Sequence, residues 1–311
     1  MRALVLTAGL GTRLQPLTRA RAKAAAPVDG EPLARRTIRW LVSQGITDLV
    51  LNLHHKPESI TAAVGDGGDL GARVRYSWES PVLGSAGGPR HALPLLLDGA
   101  AGQTFVLVNG DTLTDVDLPR MIDDHRRHGA LVTMALIANP RPDKYGGVRL
   151  DDRHQVLGFT RRGSNEPHFH FVGPQVVQAD VFAELPDGVP SESVLQVYPA
   201  LMASRPGSVR GFVGNWSFRD IGTPADLLQT SLDLAAADGR PEDPRWGRRV
   251  RVAPSARVTR SALWDDIEIG DGARVHECVI ADGVRIPSGA AYTRAAIVQD
   301  GAQLIVSSLD P

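Results

Sequence analysis

The sequence predicts an α/β domain built on a mostly parallel sheet, followed by a short parallel β-helix. Three observations lead there. Strand-like apolar runs alternate with helix-like segments through the first half of the chain, the pattern of a sheet covered on both faces. A polar, proline-bearing stretch, ADGRPEDPRWG from Ala237 to Gly247, then interrupts the pattern. Behind it, short apolar positions recur with a spacing of six, the mark of hexapeptide coils.

The strands are expected at Ala3–Leu6, Leu49–Leu53, Val74–Ser77 and Phe105–Val108, where β-branched and aliphatic residues run together. Helices are expected between them at Pro32–Ser43, with Gly45 just past its end, at Glu58–Val64 and at Pro89–Leu97. From Leu131 the texture turns richer in strands: Val132–Ile137, Gly147–Leu150, Val156–Phe159 and Phe171–Val177. Helices follow at Ser193–Ala203 and Pro224–Ala237. The domain reading is therefore 1–237, a linker over 238–247, and a β-helix over 248–311. In that last part Val252 and Val258 are six apart, as are Ile269 and Val275, and the phase slips near Leu263-Trp264. The alternative is a small β-rich tail.

Bulk chemistry narrows the function. With 34 basic and 35 acidic residues and a net charge of −1, the chain lacks the excess of positive charge a nucleic-acid or membrane-surface binder needs. No stretch approaches the roughly 20 apolar residues of a membrane span. The single cysteine, Cys278, sits beside Val279 and Ile280 and reads as a buried thiol in a reducing compartment. A cytoplasmic protein is expected.

In a parallel sheet, ligands bind beyond the carboxyl ends of the strands. The loop after the first strand is LTAGLGTRLQPLTRARAKAAAPV, Leu6 to Val28. It is not a dinucleotide fingerprint, because Leu14 stands where the third glycine of GxGxxG belongs and no acidic ribose ligand is evident downstream. It is not a P-loop either, since no Gly-Lys-Ser/Thr follows. What remains is a glycine turn exposing backbone N–H groups, with Arg13 and Lys23 available for phosphate oxygens.

The whole string resembles the signature loop of the sugar-1-phosphate nucleotidylyltransferases, which runs Leu-Ala-Ala-Gly-x-Gly-Thr-Arg-Leu-x-Pro-Leu-Thr and then Pro-Lys. Here it reads Leu6-Thr7-Ala8-Gly9-Leu10-Gly11-Thr12-Arg13-Leu14-Gln15-Pro16-Leu17-Thr18, with Lys23 at the lysine position and Ala22 in place of the proline. Three further segments resemble the family in order. SWESPVLGSAGGPRHAL carries Leu83-Gly84-Ser85-Ala86-Gly87, VLVNGDTL carries Asn109-Gly110-Asp111, and FRDIGTP carries Asp220. The segment SWESPVLGSAGGPRHAL also reads like those of mannose-1-phosphate guanylyltransferase-like members, and many members of the family carry a left-handed β-helix at the C-terminal end.

The resemblance implies a Rossmann-like mixed sheet of the nucleotide-diphospho-sugar transferase type. It implies that a nucleoside triphosphate and a sugar-1-phosphate are the partners and Mg²⁺ the cofactor. Arg13, Lys23, Asp111 and Asp220 are then the catalytic candidates, with Asp111 and Asp220 the metal carboxylates, as suits a hard, oxygen-seeking ion. Leu6, Ala8, Gly9, Gly11, Thr12, Arg13, Glu79, Gly84, Ser85, Asn109 and Gly110 are the nucleotide-binding candidates. On the sugar side stand Gly147 in YGGV, Arg162, where relatives carry Glu-Lys-Pro and this chain Arg161-Arg162-Gly163, and Gly173 in FVGPQVV.

Glu79 bears on the choice of base. Guanine presents two adjacent N–H donors that a carboxylate complements, whereas uracil and thymine suit an amide. GTP is accordingly placed ahead of UTP and dTTP. His54-His55 and His168-x-His170 lack a third ligand at motif spacing and read as loop or strand-end histidines, and Trp216 and Phe218 as core. The β-helix is expected to pack subunits into a homo-oligomer or to cover the sugar pocket. A regulatory paralogue that binds a nucleotide-sugar without turnover is the rival reading, opposed by the joint presence of Arg13, Lys23, Asp111 and Asp220.

Overall fold

The computed structural model describes residues 1–100, 102–164, 166 and 168–309. Two compact units emerge, interleaved along the chain. The first comprises Met1–Gly9, Thr37–His55 and Val64–Arg219; the second comprises Leu10–Arg36, Lys56–Ala63 and the residues from Asp220 on.

The first unit is organised on a nine-stranded sheet. Its strands in chain order are β1 (Arg2–Leu6), β2 (Asp48–Leu53), β3 (Arg73–Trp78), β4 (Thr104–Asn109), β5 (Val132–Ala138), β6 (Gly147–Leu150), β7 (Val156–Thr160), β8 (Phe169–Gln178) and β9 (Val209–Val213). The order is β7-β6-β8-β4-β1-β2-β3, with β5 pairing β8 and β9 beside this path. β4, β1, β2 and β3 run parallel, with Leu4 opposite Val50 and Leu107. β8 enters antiparallel against β4, β5 and β6, which makes the sheet mixed. The parallel strands are nearly continuous apolar runs because both their faces are covered. Leu4, Val50, Phe105, Leu107, Met134, Leu136, Val177, Phe182 and Tyr198 share one core.

Most elements fall where the sequence places them, with differences at the ends. The expected helix at Pro89–Leu97 begins earlier, at Gly84. Ser193–Val197 is a wide helical turn leading into the helix Tyr198–Ser204 rather than one continuous helix. A helix at Leu118–His128 and the strand β9 add to the expected set.

In the second unit the helix Pro224–Ala237 opens on a reciprocal cap, Thr223 accepting from Asp226 N while the Asp226 carboxylate accepts from Thr223 N. Behind it, three short parallel stacks form the faces of the β-helix: Arg251–Val252 with Glu268–Ile269 and Arg285–Ile286, Arg257–Thr259 with Arg274–His276 and Ala291–Thr293, and Ala262–Leu263 with Val279–Ile280 and Ala295–Asp300. Stacked partners are 17 residues apart, as in the Cys278 N–H bond to Ser261 Oγ. A coil of three six-residue faces would need one residue more, and this explains the slip near Leu263: it recurs in every coil. Ile269, Ile286, Val275, Val279 and Ile280 fill the interior, each contributing about 1.5–3 kcal/mol of apolar burial. Cys278 is fully buried among them and its thiol is pushed up by that burial. The final strand, Gln303–Ser308, folds back antiparallel on Ala295–Asp300.

Candidate functional site

The first unit gathers the carboxyl ends of β1, β2, β3 and β4. Leu6 stands in register with Asn109, and Gly110 N donates to Leu6 O at 3.0 Å. A Cβ on Gly110 would lie 2.5 Å from that oxygen. Only glycine therefore lets β4 end this close to the start of the loop, and Asp111, partly exposed, follows at once. Thr7 and Ala8 turn their N–H groups to one acceptor, Asn52 Oδ1, at 2.6 and 3.2 Å, while Thr7 Oγ1 donates to Asn52 O. Gly9 has open space around its Cα, with nothing within 4 Å of a Cβ.

Glu79 departs from the expectation. Its side chain is 1% exposed. Both carboxylate oxygens are taken, Oε1 by Asn52 Nδ2 at 2.7 Å and Oε2 by Leu83 N at 2.9 Å. A carboxylate this buried, with each oxygen held by an internal donor, presents no edge to a guanine, so Glu79 does not select the base as expected. Ser85 is committed as well: its hydroxyl donates to Glu192 Oε2 at 2.5 Å and accepts from Ser193 N at 2.9 Å. Gly84, at φ +75, faces the same loop, where a Cβ would lie 2.7 Å from Glu192 Oε1 and from Ser191 O.

Of the residues expected to serve a sugar phosphate, Gly147 opens β6 and is buried; a Cβ there would collide with the His168 ring. Gly173 lies in β8 where its register against β5 breaks, with φ +112 and room for no Cβ beside Thr112 Oγ1, 2.7 Å away. Both glycines are therefore demanded by close approach. Arg162 is exposed on the loop after β7, in a shallow depression of about 450 Å³ with Arg149, Arg161 and Glu166. His170 packs between Tyr145 and Phe218, with ring centroids 4.4 and 4.6 Å away, and burial lowers its pKa. Trp216 stacks on Phe212, but both, like Phe218, are half-buried at the edge of the unit rather than in its core as expected. His54 Nδ1 lies 2.9 Å from Glu79 O, a strand-end role.

The second unit holds the rest of the loop. Gly11 is left-handed, at φ 60 and ψ 37, and starts the turn Thr12–Leu14. A Cβ on Gly11 would lie 2.9 Å from Thr18 Cγ2 and 3.1 Å from Lys23 Cβ. The glycine thus seats the Lys23 stem directly on the turn. Leu14, in the place of a dinucleotide glycine, is fully buried, as is Leu17. Thr12 and Arg13 are exposed. At Gly222 a Cβ would lie 3.0 Å from Arg13 Nη1 and 3.1 Å from Asp220 Oδ2, so the Arg13 fork and the Asp220 carboxylate converge on one glycine.

One anchor escaped the sequence reading. Arg21 clasps Asp282 with Nε and Nη2, both at 2.6 Å, and reaches Asp265 with Nη2 at 2.8 Å. Its guanidinium also lies 5.8 Å from the centre of the Trp264 ring. Next to it, Ala22 N donates to Ser59 Oγ at 2.9 Å, and the turn Lys23–Ala25 begins. The β-helix therefore grips the loop two residues before Lys23. A pocket of about 680 Å³ lies beside this clasp, lined among others by Arg21, Arg35, Ser59, Trp246 and Arg248.

A mixed sheet with a glycine loop, a Gly-Asp strand end and a C-terminal hexapeptide helix defines a nucleotidyl-transferring class of protein, and the comparisons agree. The Nucleotidyl transferase family matches residues 2–237, and the GlmU-like C-terminal hexapeptide family matches residues 246–300. The chain belongs to the nucleotidyl transferase family. It is 31% identical over 302 residues to a mannose-1-phosphate guanylyltransferase of Mycobacterium tuberculosis, covering 94% of this chain and 83% of that protein. It is 27% identical over 303 residues to a UTP–glucose-1-phosphate uridylyltransferase of Synechocystis, covering 92% and 76%. Among solved structures, HddC from Yersinia pseudotuberculosis complexed with GMP-PN superposes with a TM-score of 0.64 at 21% identity, covering 75% of this chain and 99% of that one.

Proposed function

We propose that this protein is a sugar-1-phosphate nucleotidylyltransferase, converting a nucleoside triphosphate and a sugar-1-phosphate into a nucleotide-sugar and pyrophosphate, with GTP and mannose-1-phosphate the favoured pair. The observation that carries the reading is the loop itself: a left-handed Gly11 packed on the Lys23 stem, with Arg13 and Asp220 meeting at Gly222. The guanylyl and mannosyl preference rests on the likeness to the mycobacterial guanylyltransferase. UTP- or dTTP-dependent turnover is the alternative, favoured by the uridylyltransferase among the relatives. The catalytic part is assigned to residues 1–237, the linker to 238–247, and the β-helix to the remainder.

A phosphate oxygen of the sugar-1-phosphate attacks the α-phosphorus, the bond to the β-phosphate oxygen breaks in line, and pyrophosphate leaves. No covalent enzyme intermediate is needed, so catalysis consists of positioning and charge neutralisation. Arg13 offers its planar fork to phosphate oxygens and Lys23 a compact charge; each oriented contact is worth about 3 kcal/mol of transition-state stabilisation. Gly9, Gly11 and Thr12 present loop backbone to the triphosphate, with Leu6, Ala8 and Asn109 framing it. Gly147, Gly173 and Arg162 serve the sugar phosphate.

Asp111 and Asp220 are the carboxylates we propose for a magnesium ion. Both donors are hard carboxylate oxygens; Asp111 is partly exposed at the end of β4, and Asp220 Oδ2 lies 3.1 Å from the place of a Cβ on Gly222. Among the described residues no cluster of three or more His, Cys, Asp or Glu is assembled, and magnesium ordinarily takes one or two protein carboxylates, completing its shell with phosphate and water. Bound there, Mg²⁺ would neutralise charge developing on the phosphates. Asp111→Asn and Asp220→Asn should each abolish Mg²⁺-dependent pyrophosphate release without changing the circular dichroism of the fold. Near-normal rates in either variant would remove that acid from the mechanism.

Among the described residues no helix is long and apolar enough to cross a membrane. A cytoplasmic homo-oligomer is the proposed form; the buried, unpaired Cys278 suits a reducing compartment, and the assembly rests on the expectation that the β-helix packs subunits together. A sizing column tests the assembly.

A further inference from the structure

Inside the first unit, a chain of buried polar groups links the two glycine segments of the site. Asn52 is 3% exposed, Glu79 1% and Thr7 3%. Asn52 sits in β2, in a run of otherwise apolar residues whose neighbours Leu51 and Leu53 are buried. Its carbonyl oxygen accepts from Thr7 N and Ala8 N, the last two N–H groups before Gly9. Its amide nitrogen donates to Glu79, whose other oxygen accepts from Leu83 N, the residue preceding Gly84 and Ser85. The helix Gly84–Leu97 rests directly on this chain, since a Cβ on Gly88 would lie 2.6 Å from Glu79 Oε1 and 3.0 Å from Asn52 Nδ2.

Burying a carboxylate is costly even when it is hydrogen-bonded, and an apolar pair of the same volume is often as stable. A buried polar chain of this kind has directional demands that an apolar pair does not, because every donor must meet an acceptor. Here those demands fix the angle at which the chain leaves β1 and the start of the second segment relative to it. We infer that Asn52 and Glu79 are positioning residues that hold the two nucleotide segments in one relative geometry, without touching the nucleotide. This rests on the nucleotidylyltransferase reading of the site.

The hydrogen-bond polarity supplies the test. In Asn52→Asp, a carboxylate oxygen faces Glu79 Oε1 where the amide had donated. In Glu79→Gln, the new amide sets N–H against N–H, either at Asn52 or at Leu83. In the double variant, Asn52→Asp with Glu79→Gln, every bond returns with the central one reversed. The new carboxylate in β2 still accepts from Thr7 N and Ala8 N. The new amide after β3 donates to that carboxylate and accepts from Leu83 N, and the net charge is unchanged.

Pyrophosphate release by the full chain, with KM for the triphosphate and kcat measured separately and melting temperature alongside, reads the outcome. Each single variant should raise KM for the triphosphate at least tenfold and leave KM for the sugar phosphate within about threefold. The double variant should return within about threefold of the natural chain in both. A purely structural role would lower the melting temperature of the single variants while leaving the triphosphate KM unchanged, and that result overturns the inference. A double variant no better than the worse single one overturns it too. If the natural chain itself turns over no pair, the enzymatic reading falls first, and the positioning role with it.

Discussion

Replacing Arg21 by alanine tests why a nucleotidyl transferase loop should be grouped with a β-helix. The substitution removes three short charge-assisted bonds, two to Asp282 at 2.6 Å and one to Asp265 at 2.8 Å. The side chains of Arg21, Asp265 and Asp282 are 19%, 13% and 28% exposed. Exposed ion pairs are worth about 0–1 kcal/mol, and breaking a fully buried one costs about 3–5 kcal/mol. This clasp lies between, so a loss of about 2 kcal/mol follows, since Arg248 remains to neutralise Asp265. On the scale for domains of 150–250 residues, that is a fall of about 4–8 °C in melting temperature. The kinetic effect is larger in proportion. Lys23 lies two residues on, and a misplacement of about 1 Å at a catalytic group costs on the order of 100-fold, so kcat/KM should fall by roughly 10- to 100-fold. Arg21→Lys keeps the charge but not the two-pronged grip, and should recover less than half of the lost stability. Calorimetry and pyrophosphate release on the same preparations make the comparison. A variant within about 1 °C and twofold of the natural chain would refute the idea that the β-helix supports the loop.

Further outcomes follow from other sites. His125 is 1% exposed and burial lowers its pKa from 6.5 to about 4. The unfolded chain therefore binds a proton there that the folded one refuses. The contribution is fully present above pH 6.5 and lost as pH falls towards 4, about 3 kcal/mol at most. His125→Asn should flatten that part of a pH-stability curve, and an unchanged slope would assign the acid loss elsewhere. Gly222→Ala places a methyl 3.0 Å from Arg13 Nη1 and 3.1 Å from Asp220 Oδ2. Turnover should drop about five- to twentyfold, from displacements of a few tenths of an ångström, with little change in melting temperature; undiminished turnover would show that this convergence does not matter. Gly110→Ala meets the Leu6 carbonyl at 2.5 Å, a collision with backbone that should lower both stability and turnover, and a fully active variant would contradict the packing described.

The sheet was legible because its central strands are buried on both faces and so read as unbroken apolar runs. The loop was legible because Gly11 is needed for its positive φ and Gly110 for a backbone approach, constraints few other residues satisfy. Other features were harder to read. The helix Leu118–His128 ends in DDHRRH, a charged run that masks the apolar spacing of the buried Leu118, Met121, Ile122 and His125; its ends were nevertheless marked by Asp117, whose side chain accepts from Arg120 N, and by left-handed Gly129. The β-helix coil is 17 residues, so a strict six-residue comb drifts out of phase at each turn. Glu79 was expected to meet the base because a carboxylate complements the two adjacent N–H donors of guanine. The signal against that lay 27 positions earlier, in the buried Asn52 that holds it. Arg21 gave no local signal, since its partners lie 244 and 261 positions away.

The most direct measurement is pyrophosphate release with Mg²⁺ across GTP, UTP, dTTP, CTP and ATP, each against several sugar-1-phosphates. The account predicts release that requires both substrates, fastest for GTP with mannose-1-phosphate. Silence with every pair, while a nucleotide-sugar still raises the melting temperature, would contradict it and make the protein a nucleotide-sugar binder instead.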